Sequence, residues 1–344
     1  MARSQTPTQR RRSGPDRLTL ILGAVFGVLV IAAAVVAFIV IRNLFSSWTI
    51  TDLPGAPVVA NPSGGTPGAP LQAPDGPAPD PWDGNSRVTI LLMGLDYRDW
   101  EAGEVPRTDT MMLVTIDPVS MTAGMLSIPR DMWVNVPGFD YNKINTAYFL
   151  GEANKLPGGG PALAVKTVQE FLGVPINYYA QVDFYAFVRF IDEIGGIRLR
   201  PFEDITIEPM DGTQKETFLK GGEAYTLDGK LALAYARARY ESQGGDVSRA
   251  ERQQQVILGI RDRLVTWNLL PQLIAKSGIL YQELSSGVRT NMNLDEALQL
   301  AQLAINIPVE NIKKVVIGYE DAELDMTYDG QSILRPYPER IRAR

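Results

Sequence analysis

The sequence contains no cysteine and no histidine among its 344 residues. Without cysteine there are no disulfide bonds, no thiolate zinc site and no cysteine nucleophile, and without histidine there is no imidazole general base. The formal net charge of −6 disfavours a general nucleic-acid binder, because phosphate contacts need clustered Lys and Arg. Any catalysis must therefore use carboxylates, Arg, Lys, hydroxyl groups or a cation held by oxygen ligands.

The amino-terminal region combines a basic tail with a long uncharged apolar run. Residues 1–17 contain several arginines, and residues 18–41 carry no charge. The apolar run exceeds both the roughly 20 residues of a membrane-spanning helix and the roughly 7–15 apolar residues of a signal-peptide core. It predicts an uncleaved, single-pass anchor in the cell membrane, with a cleaved signal peptide as the alternative. The basic flank places the N-terminus in the cytoplasm and the C-terminal domain outside it.

The rest of the chain divides into three parts by composition. Residues 42–86 are crowded with Pro and Gly, which favours a semi-extended tether. Residues 87–318 alternate strand-like and helix-like patterns, which predicts one α/β domain around a mixed sheet. Residues 319–344 form a C-terminal extension, either packed on that domain or trailing from it.

Hydrophobic periodicity places the elements of this domain. Residues 135–160, with several Gly and Asn, are expected to be a long loop. Strands are predicted at residues 87–95, 110–116, 123–128, 177–184, 197–200 and 313–318. Helices are predicted at residues 161–172, 185–194, 248–267 and 294–305, and at the start of residues 228–240.

Two of these strands, residues 110–116 and 123–128, are joined by a turn that begins at Asp117 and Pro118. Strands joined by a tight hairpin run antiparallel, so the start of the first lies beside the end of the second. An Arg and an Asp stand at each of these outer ends, and all four are expected to meet at one edge of the sheet. They are Arg107, Asp109, Arg130 and Asp131.

The strand at residues 87–95 adds Asp96 and Arg98 to the same edge if it runs parallel to the second hairpin strand. Charged residues at the end of a strand are often only solvated. Three Asp and Arg pairs that converge on one edge are harder to explain in that way. The edge is therefore a candidate functional site.

The sequence around Ser248 predicts a second cationic position. Ser248 and Glu251 match a capping box, which puts Arg249 at the first position of a helix. A cation there opposes the helix dipole, so either an anion binds at that end or Asp246 neutralises Arg249. Gln253 lies one turn further along the same face.

The segment YARARY carries Arg237 and Arg239. These two side chains would share one side of an extended strand, but would diverge by about 200° on a helix. Guanidinium groups match phosphate oxygens bidentately, and carboxylates suit a hard cation such as Mg²⁺ that bridges them to phosphates. This mixture favours phosphoryl transfer, which depends on positioning and charge neutralisation. On an outward-facing domain the natural donor is a lipid-linked phosphate.

The chain resembles the LytR–CpsA–Psr family of cell-wall glycopolymer ligases in seven motifs that occur in order between about residues 87 and 318. They are ILLMGLDYR, RTDTMMLVTIDP, LSIPRDMWV, KINTAY, VDFYAFVRFIDEIGGI, LALAYARARY and GDVSRAERQQQV. The resemblance implies an αβα arrangement around a mixed central sheet, with an apolar groove for a polyprenyl chain. It also implies a phosphotransferase that moves a glycan-phosphate from a polyprenyl-pyrophosphate carrier to a peptidoglycan sugar hydroxyl.

The same resemblance implies roles for individual residues. Asp96 and Asp109 would hold Mg²⁺, or Mn²⁺ in its place, near the pyrophosphate. Catalysis would depend on Asp96, Asp109, Arg107 and Arg130. Pyrophosphate binding would use Arg98, Arg107, Arg130, Lys143, Arg237, Arg239, Arg249 and Gln253.

Several alternatives stay open at this point. The same site would serve a polyprenyl-pyrophosphate pyrophosphatase that uses water, or a non-catalytic sensor that binds a lipid-linked intermediate. The base that accepts the acceptor proton would be Asp109, Asp131 or no dedicated group, since a loose transition state asks little of a base. Six apolar residues either line a lipid groove or form ordinary core, which is commoner at their spacing: Val165, Phe171, Phe184, Phe187, Val188 and Phe190.

Overall fold

The computed structural model describes residues 82–95, 105–209, 216–239, 245–266 and 287–344. The predicted membrane anchor, most of the predicted tether, Asp96 and Arg98 lie outside these ranges. No helix within the described ranges is both long and apolar enough to cross a bilayer.

Strands and helices alternate along the described residues, as the sequence pattern predicts. The strands are β1 (Val88–Leu95), β2 (Thr108–Asp117), β3 (Thr122–Ser127), β4 (Trp133–Asn135), β5 (Tyr141–Lys143), β6 (Tyr178–Asp183), β7 (Ile197–Leu199), β8 (Ile205–Ile207), β9 (Thr217–Leu219), β10 (Tyr225–Leu227), β11 (Val288–Thr290), β12 (Ile312–Val316), β13 (Ala322–Met326) and β14 (Ser332–Pro336). The helices are α1 (Thr146–Ala153), α2 (Gly159–Leu172), α3 (Phe184–Glu193), α4 (Gly229–Arg237), α5 (Gly245–Thr266), α6 (Leu294–Asn306) and α7 (Pro338–Arg342), with a 3-10 turn at Val309–Asn311.

The largest sheet has six strands in the order β11-β6-β1-β2-β3-β12. β1 pairs parallel with β6 and β3 pairs parallel with β12, whereas the other neighbouring pairs are antiparallel. The predicted mixed central sheet is therefore confirmed. Because β2 runs antiparallel to both β1 and β3, those two strands share one direction, which is the orientation assumed for the strand that precedes Asp96.

Helices pack on both faces of this sheet, because its strands are apolar on both sides. On one face, Leu91 of β1 and Met111 of β2 pack in a core with side chains of α1 and α2. On the other face, Ile90 and Ile116 pack with Leu300 of α6. Of the possible groove residues, Val165 lies in the core with α1 and α2, which is called the first core below, and Phe171 packs against it. Phe187 and Phe190 pack against a separate core among α3, α4 and α5.

A second hydrophobic core lies among α3, α4, α5 and the short strands β7 to β10. β7 pairs with β10, and β8 pairs with β9. Helix α5 joins this core to the central sheet, because Gln254 donates hydrogen bonds of 2.9 Å to Ser127 Oγ and to the carbonyl oxygen of Val315. The second core therefore carries α4 and α5 to the edge of the sheet.

Two sequence predictions are wrong. The predicted long loop at residues 135–160 contains the hairpin β4–β5 and the helix α1, because Ile144 and Tyr148 are buried in the core. Helix α5 begins at Gly245, so Ser248 lies buried within it and cannot be its cap. Arg249 is consequently not the first helical residue. Asp246, in the first turn of α5, supplies the negative charge that the helix dipole favours there.

The segment after residue 318 packs on the domain. β13 and β14 form an antiparallel hairpin, and Ile341 of α7 is buried in the first core. Leu334 of β14 forms a parallel bridge with Met132, and its N–H donates to the carbonyl oxygen of Asp131 at 2.9 Å. The hairpin β13–β14 thus lies directly beside the residues that follow β3.

Candidate functional site

The hairpin β2–β3 brings its two charged ends together. β2 and β3 pair from Met112 to Asp117, and beyond β3 the N–H of Ile128 still donates to Met111 at 2.9 Å. This close pairing lets Arg130 Nη1 donate to Asp109 Oδ1 at 2.7 Å. The predicted convergence of the hairpin ends is confirmed for these residues.

Asp109 lies at the centre of three guanidinium groups. Besides Arg130, it accepts a hydrogen bond of 3.1 Å from Arg239 Nη2 and one of 3.2 Å from Arg249 Nη1. Asp109 and Arg130 stand on the central sheet and its edge, whereas Arg239 follows α4 and Arg249 lies on α5 of the second core. One carboxylate thus holds cations from two separately packed parts of the fold.

Asp131 forms a second ion-pair centre. It accepts a 2.8 Å hydrogen bond from Lys143 Nζ, and its other oxygen lies 3.5 Å from Arg130 Nε. Lys143 belongs to β5, which pairs with β4 immediately after Asp131. The hairpin β4–β5 therefore explains why a lysine twelve positions away in sequence reaches the predicted edge.

Asp246 is a third carboxylate of the site, and it was considered from sequence only as a neutraliser of Arg249. Its Oδ1 lies 3.4 Å from Arg249 Nη2 and 3.5 Å from Arg239 Nε. Asp246 and Arg249 are separated by three positions on α5, the spacing at which helix side chains meet. Neutralisation of Arg249 is confirmed, but Asp109 shares that role.

The cluster has an excess of positive charge. Five cations face three carboxylates, which leaves two positive charges unbalanced among these described residues. Burial by itself would lower the pKa of Arg130, but Asp109, Asp131 and Asp246 outweigh burial and raise that pKa. The cations are Arg107, Arg130, Lys143, Arg239 and Arg249, and the carboxylates are Asp109, Asp131 and Asp246.

A cavity of about 590 Å³ opens beside this cluster. Arg107, Asp109, Arg130, Asp131 and Lys143 all line it. Partial shielding from water in this open cavity strengthens the attraction between an anion and the excess cations. Its further lining residues include Asn142, Thr146, Phe149 and Gln331, which the sequence did not single out.

Two of these lining residues, Phe149 and Gln331, differ in whether the sequence could have predicted their position. The ring of Phe149 lies 5.5 Å from the guanidinium of Arg107, and it sits on α1 within the segment that was predicted as a loop. A helical prediction for that segment would have placed it near the site. Gln331 comes from the turn before β14, and no sequence pattern connects it to β2.

Arg237 and Gln253 have other neighbours in the structure. Helix α4 ends at Arg237, and Ala238 is non-helical. Arg237 and Arg239 therefore lie together in neither a regular helix nor a strand. The Arg237 guanidinium lies 4.8 Å from the ring centre of Phe184. Gln253 Nε2 donates to the carbonyl oxygen of Ala236 at 3.4 Å. Arg237 and Ala236, the acceptor of the Gln253 hydrogen bond, both lie along the segment that leads to Arg239.

Arg252 is a further residue that the sequence did not single out. Its side chain is fully buried, donates to Glu203 at 2.8 Å and also donates to the carbonyl oxygen of Ala238. Burial lowers the pKa of Arg252, and Glu203 acts in the opposite direction. Since Ala238 directly precedes Arg239, Arg252 fixes the backbone from which Arg239 reaches Asp109.

The predicted metal pair is only half described, because Asp96 lies outside the described ranges. Within those ranges, no group of three or more Asp, Glu, His or Cys residues is arranged to hold a metal ion. Both oxygens of Asp109 accept hydrogen bonds from guanidinium groups. Its carboxylate has the donor chemistry that Mg²⁺ prefers.

Comparison with known proteins gives a consistent result. The family model described as the LytR_cpsA_psr family matches residues 71–340. One relative is the polyisoprenyl-teichoic acid–peptidoglycan teichoic acid transferase TagU of Oceanobacillus iheyensis. It is 36% identical over 214 residues, which are 61% of this chain and 60% of that protein. The similarly named TagT of Bacillus subtilis is 32% identical over 242 residues, covering 70% of this chain and 71% of TagT. The chain thus spans about 60% to 71% of the length of these two relatives.

One relative has a different kind of name. The regulatory protein MsrR of Staphylococcus aureus is 30% identical over 267 residues, covering 74% of this chain and 72% of MsrR. Among solved structures, TagT bound to LI-WTA matches with a TM-score of 0.56 and 25% identity, over 77% of this chain and 90% of that one. The crystal structure of Bacillus subtilis TagV matches with a TM-score of 0.57 and 29% identity, over 75% and 95% of the two chains.

Proposed function

The chain belongs to the LytR_cpsA_psr family, and from that premise we propose that it transfers a glycan-phosphate from a polyprenyl-pyrophosphate carrier to peptidoglycan. The observation that carries this proposal is the trio of guanidinium groups around Asp109, next to a cavity lined by further cations. The names of the transferase relatives support the reaction class. The transferred glycan is proposed only as a cell-wall glycopolymer and is not restricted to teichoic acid.

The ion pairs support a specific way of binding the pyrophosphate. Arg130, Arg239 and Arg249 crowd onto one carboxylate that carries a single charge. A pyrophosphate offers more oxygens and more charge, so the three guanidinium groups would turn from Asp109 to the phosphates. Arg107 and Lys143, which line the same cavity, would add two further positive charges. Arg98, Arg237 and Gln253 remain proposed contributors.

We further propose that Mg²⁺, or Mn²⁺ in its place, assists the reaction. Asp96 and Asp109 would hold the ion together with oxygens of the pyrophosphate. When bound, the ion would neutralise charge that develops on the phosphates. Asp109 would then exchange its guanidinium partners for the cation as the donor binds.

The proposed location follows from the amino-terminal sequence. A single-pass anchor at residues 18–41 and a tether at residues 42–86 would hold the domain at residues 87–318 outside the cytoplasm, near lipid-linked donors. The extension at residues 319–344 would act as part of that domain, since β14 touches the residues that follow β3.

The test uses the full-length chain in detergent micelles. It would be incubated with a polyprenyl-pyrophosphate-linked sugar and soluble peptidoglycan fragments, with Mg²⁺ or with a chelator, and the products identified by mass spectrometry. We expect a conjugate linked by a phosphodiester, lost with the chelator and in Asp109→Ala and Arg130→Ala. Arg87→Ala is the matched control, because Arg87 forms only an exposed surface pair with Asp117.

The other outcomes identify the two alternative functions. Sugar phosphate released without a conjugate, for every acceptor, would identify a pyrophosphatase. The regulatory name of MsrR favours a sensor as the second candidate. Tight donor binding without turnover under all conditions would support that sensor and contradict the transferase.

A further inference from the structure

A second, smaller cavity of about 130 Å³ lies on the hairpin side of the cluster. It is lined by residues of three segments: the residues that follow β3, the first turn of α5, and the C-terminal hairpin with the turn before it. The lining residues that matter for the argument are Asp131, Asp246, Tyr319, Leu324 and Ser332.

This cavity is continuous with the charged cluster. Asp131 lines both the 590 Å³ cavity and the smaller one. Asp246 lines the smaller one and pairs with Arg239 and Arg249, two of the three cations that bind Asp109. The two cavities therefore adjoin at Asp131, next to the cations that would hold a phosphate.

The apolar wall of the smaller cavity is exposed but held in place. Tyr319 is 58% exposed. Its hydroxyl lies close to Gly245 at the start of α5, because a Cβ atom added to that glycine would be 3.7 Å from the hydroxyl oxygen of Tyr319. The turn that carries Tyr319 is closed by the buried Asp321, which accepts a 3.2 Å hydrogen bond from Gly318 N–H. Arg344 Nε donates to the other oxygen of Asp321 at 3.1 Å. An aromatic ring on a fixed turn is preorganised to receive a ligand.

We propose that this cavity binds the acceptor sugar of peptidoglycan, an inference that rests on the proposed transferase function. A pyranose ring has apolar C–H faces and a rim of hydroxyl groups. Tyr319 and Leu324 offer an apolar surface to the ring, and Asp131, Asp246 and Ser332 offer hydrogen-bond partners to the hydroxyls. The cavity of about 130 Å³ is open to solvent, so it would receive part of one sugar ring while the rest of the polymer stays outside.

The arrangement agrees with the geometry of phosphoryl transfer. The attacking and leaving oxygens stand roughly in line on opposite sides of phosphorus. With the leaving polyprenyl phosphate on the side of the larger cavity, the acceptor hydroxyl would approach from the smaller one. Asp131 faces both cavities, so of the two carboxylates considered as bases it is the one beside that hydroxyl.

The reaction step balances as follows. The acceptor oxygen forms a bond to the phosphorus that carries the glycan, and the bond from that phosphorus to the bridging oxygen breaks. The electron pair leaves with polyprenyl phosphate. The proton of the acceptor hydroxyl passes to the carboxylate of Asp131 and from there to water.

The test compares pairs of matched variants of the full-length chain. Tyr319→Ala is paired with Tyr328→Ala, a fully exposed tyrosine of the same hairpin region that does not line the cavity. Leu324→Ser is paired with Met326→Ser, since these side chains are 65% and 64% exposed on β13 and only Leu324 lines the cavity. A thermal unfolding curve for each variant confirms that it is folded.

The measured quantities are the KM for a soluble GlcNAc–MurNAc peptide fragment, kcat, and the Kd for the lipid-linked donor. We expect the acceptor KM to rise about tenfold in Tyr319→Ala and Leu324→Ser, with the donor Kd unchanged, because one apolar ring contact is lost. The two control variants should match the unmodified chain. Equal KM values in Tyr319→Ala and Tyr328→Ala would overturn the acceptor site.

A second measurement separates this inference from the transferase proposal. If the unmodified chain binds donor but transfers nothing, the proposed function fails, and the cavity is then judged by saturation-transfer NMR with the same sugar fragment. Binding that is lost in Tyr319→Ala and kept in Tyr328→Ala would support a sugar site without transfer. Absence of binding to the unmodified chain would contradict the sugar site itself.

Discussion

Arg252 donates a hydrogen bond to the carbonyl oxygen of Ala238, the residue directly before Arg239. Arg249, less than one turn earlier on the same helix, binds Asp109 itself. Helix α5 therefore contributes to the cluster in two ways. Arg249 binds Asp109 directly, and Arg252 holds the backbone next to Arg239. Arg252 is a positioning residue, because it acts through Arg239.

Arg252→Met is expected to lower kcat about tenfold and the free energy of unfolding by about 3 kcal/mol, since Glu203 loses its buried partner and the backbone before Arg239 is released. Arg261→Met is the matched control. Arg261 lies on the same helix and donates to the carbonyl oxygens of Ala304 and Ile305, remote from Asp109. It should lower stability and leave kcat unchanged. Urea unfolding and initial rates measure both, and equal kcat losses would show that Arg252 has only a structural role.

Asp109→Asn keeps the shape of the side chain and removes the charge that three guanidinium groups share. We expect the variant to bind inorganic pyrophosphate about tenfold more tightly, because the internal competitor is gone, while turnover falls about a hundredfold. Asp325→Asn serves as the control, since Asp325 forms an exposed pair with Arg335 and lines neither cavity, so both quantities should stay unchanged. Calorimetry with pyrophosphate and initial transfer rates measure the two effects. Weaker pyrophosphate binding in Asp109→Asn would contradict the competition.

Arg130→Lys retains the charge but loses the planar fork that joins Asp109 at 2.7 Å to Asp131 at 3.5 Å. The expected result is a fall in kcat of about a hundredfold with a smaller change in donor Kd, because the geometry at the phosphate is lost and the charge is not. Arg87→Lys, at an exposed surface pair, should behave as the unmodified chain does. Full activity in Arg130→Lys would mean that charge alone is required at this position.

Burial raises the pKa of Tyr178 to about 12. Its hydroxyl donates to Glu296 at 2.9 Å and accepts from the N–H of Trp82 at 2.9 Å. The pKa of Tyr178 in the folded protein lies above its ordinary value of 10.0. The protonated hydroxyl therefore stabilises the fold fully below pH 10.0, and this stabilisation is lost as the pH rises towards 12. Unfolding free energies in urea between about pH 8 and pH 12 should fall less steeply in Tyr178→Phe. Tyr328→Phe, at a fully exposed site, should leave the slope unchanged.

The sequence predicted the edge of the sheet well because the relevant geometry is local. Asp117 accepts hydrogen bonds from the N–H groups of Val119 and Ser120, so the turn that it begins forces β2 and β3 into antiparallel pairing. Once that pairing exists, Arg130 has to end near Asp109. The prediction needed only a turn and two alternating strands.

The remaining features depended on contacts between distant segments. The start of α5 was misplaced because Ser248 and Glu251 fit a cap, whereas Ser248 is buried and the helix continues back to Gly245. A local pattern was overridden by tertiary packing. Gln331 lies in the hairpin β13–β14, and Tyr319 lies in the turn before it. No short-range pattern encodes the contact of this hairpin with Met132, which brings them to the two cavities.

The division of the cluster between two hydrophobic cores has a consequence for how cooperatively the protein loses activity. Asp109 and Arg130 depend on the central sheet, and Arg239 and Arg249 depend on the core around α4 and α5. A small displacement of one core relative to the other would separate Asp109 from Arg239 and Arg249 while leaving helices and strands intact. In mild denaturant, catalysis is therefore expected to disappear before circular dichroism detects unfolding, so that enzymatic assay becomes a sensor of subglobal opening.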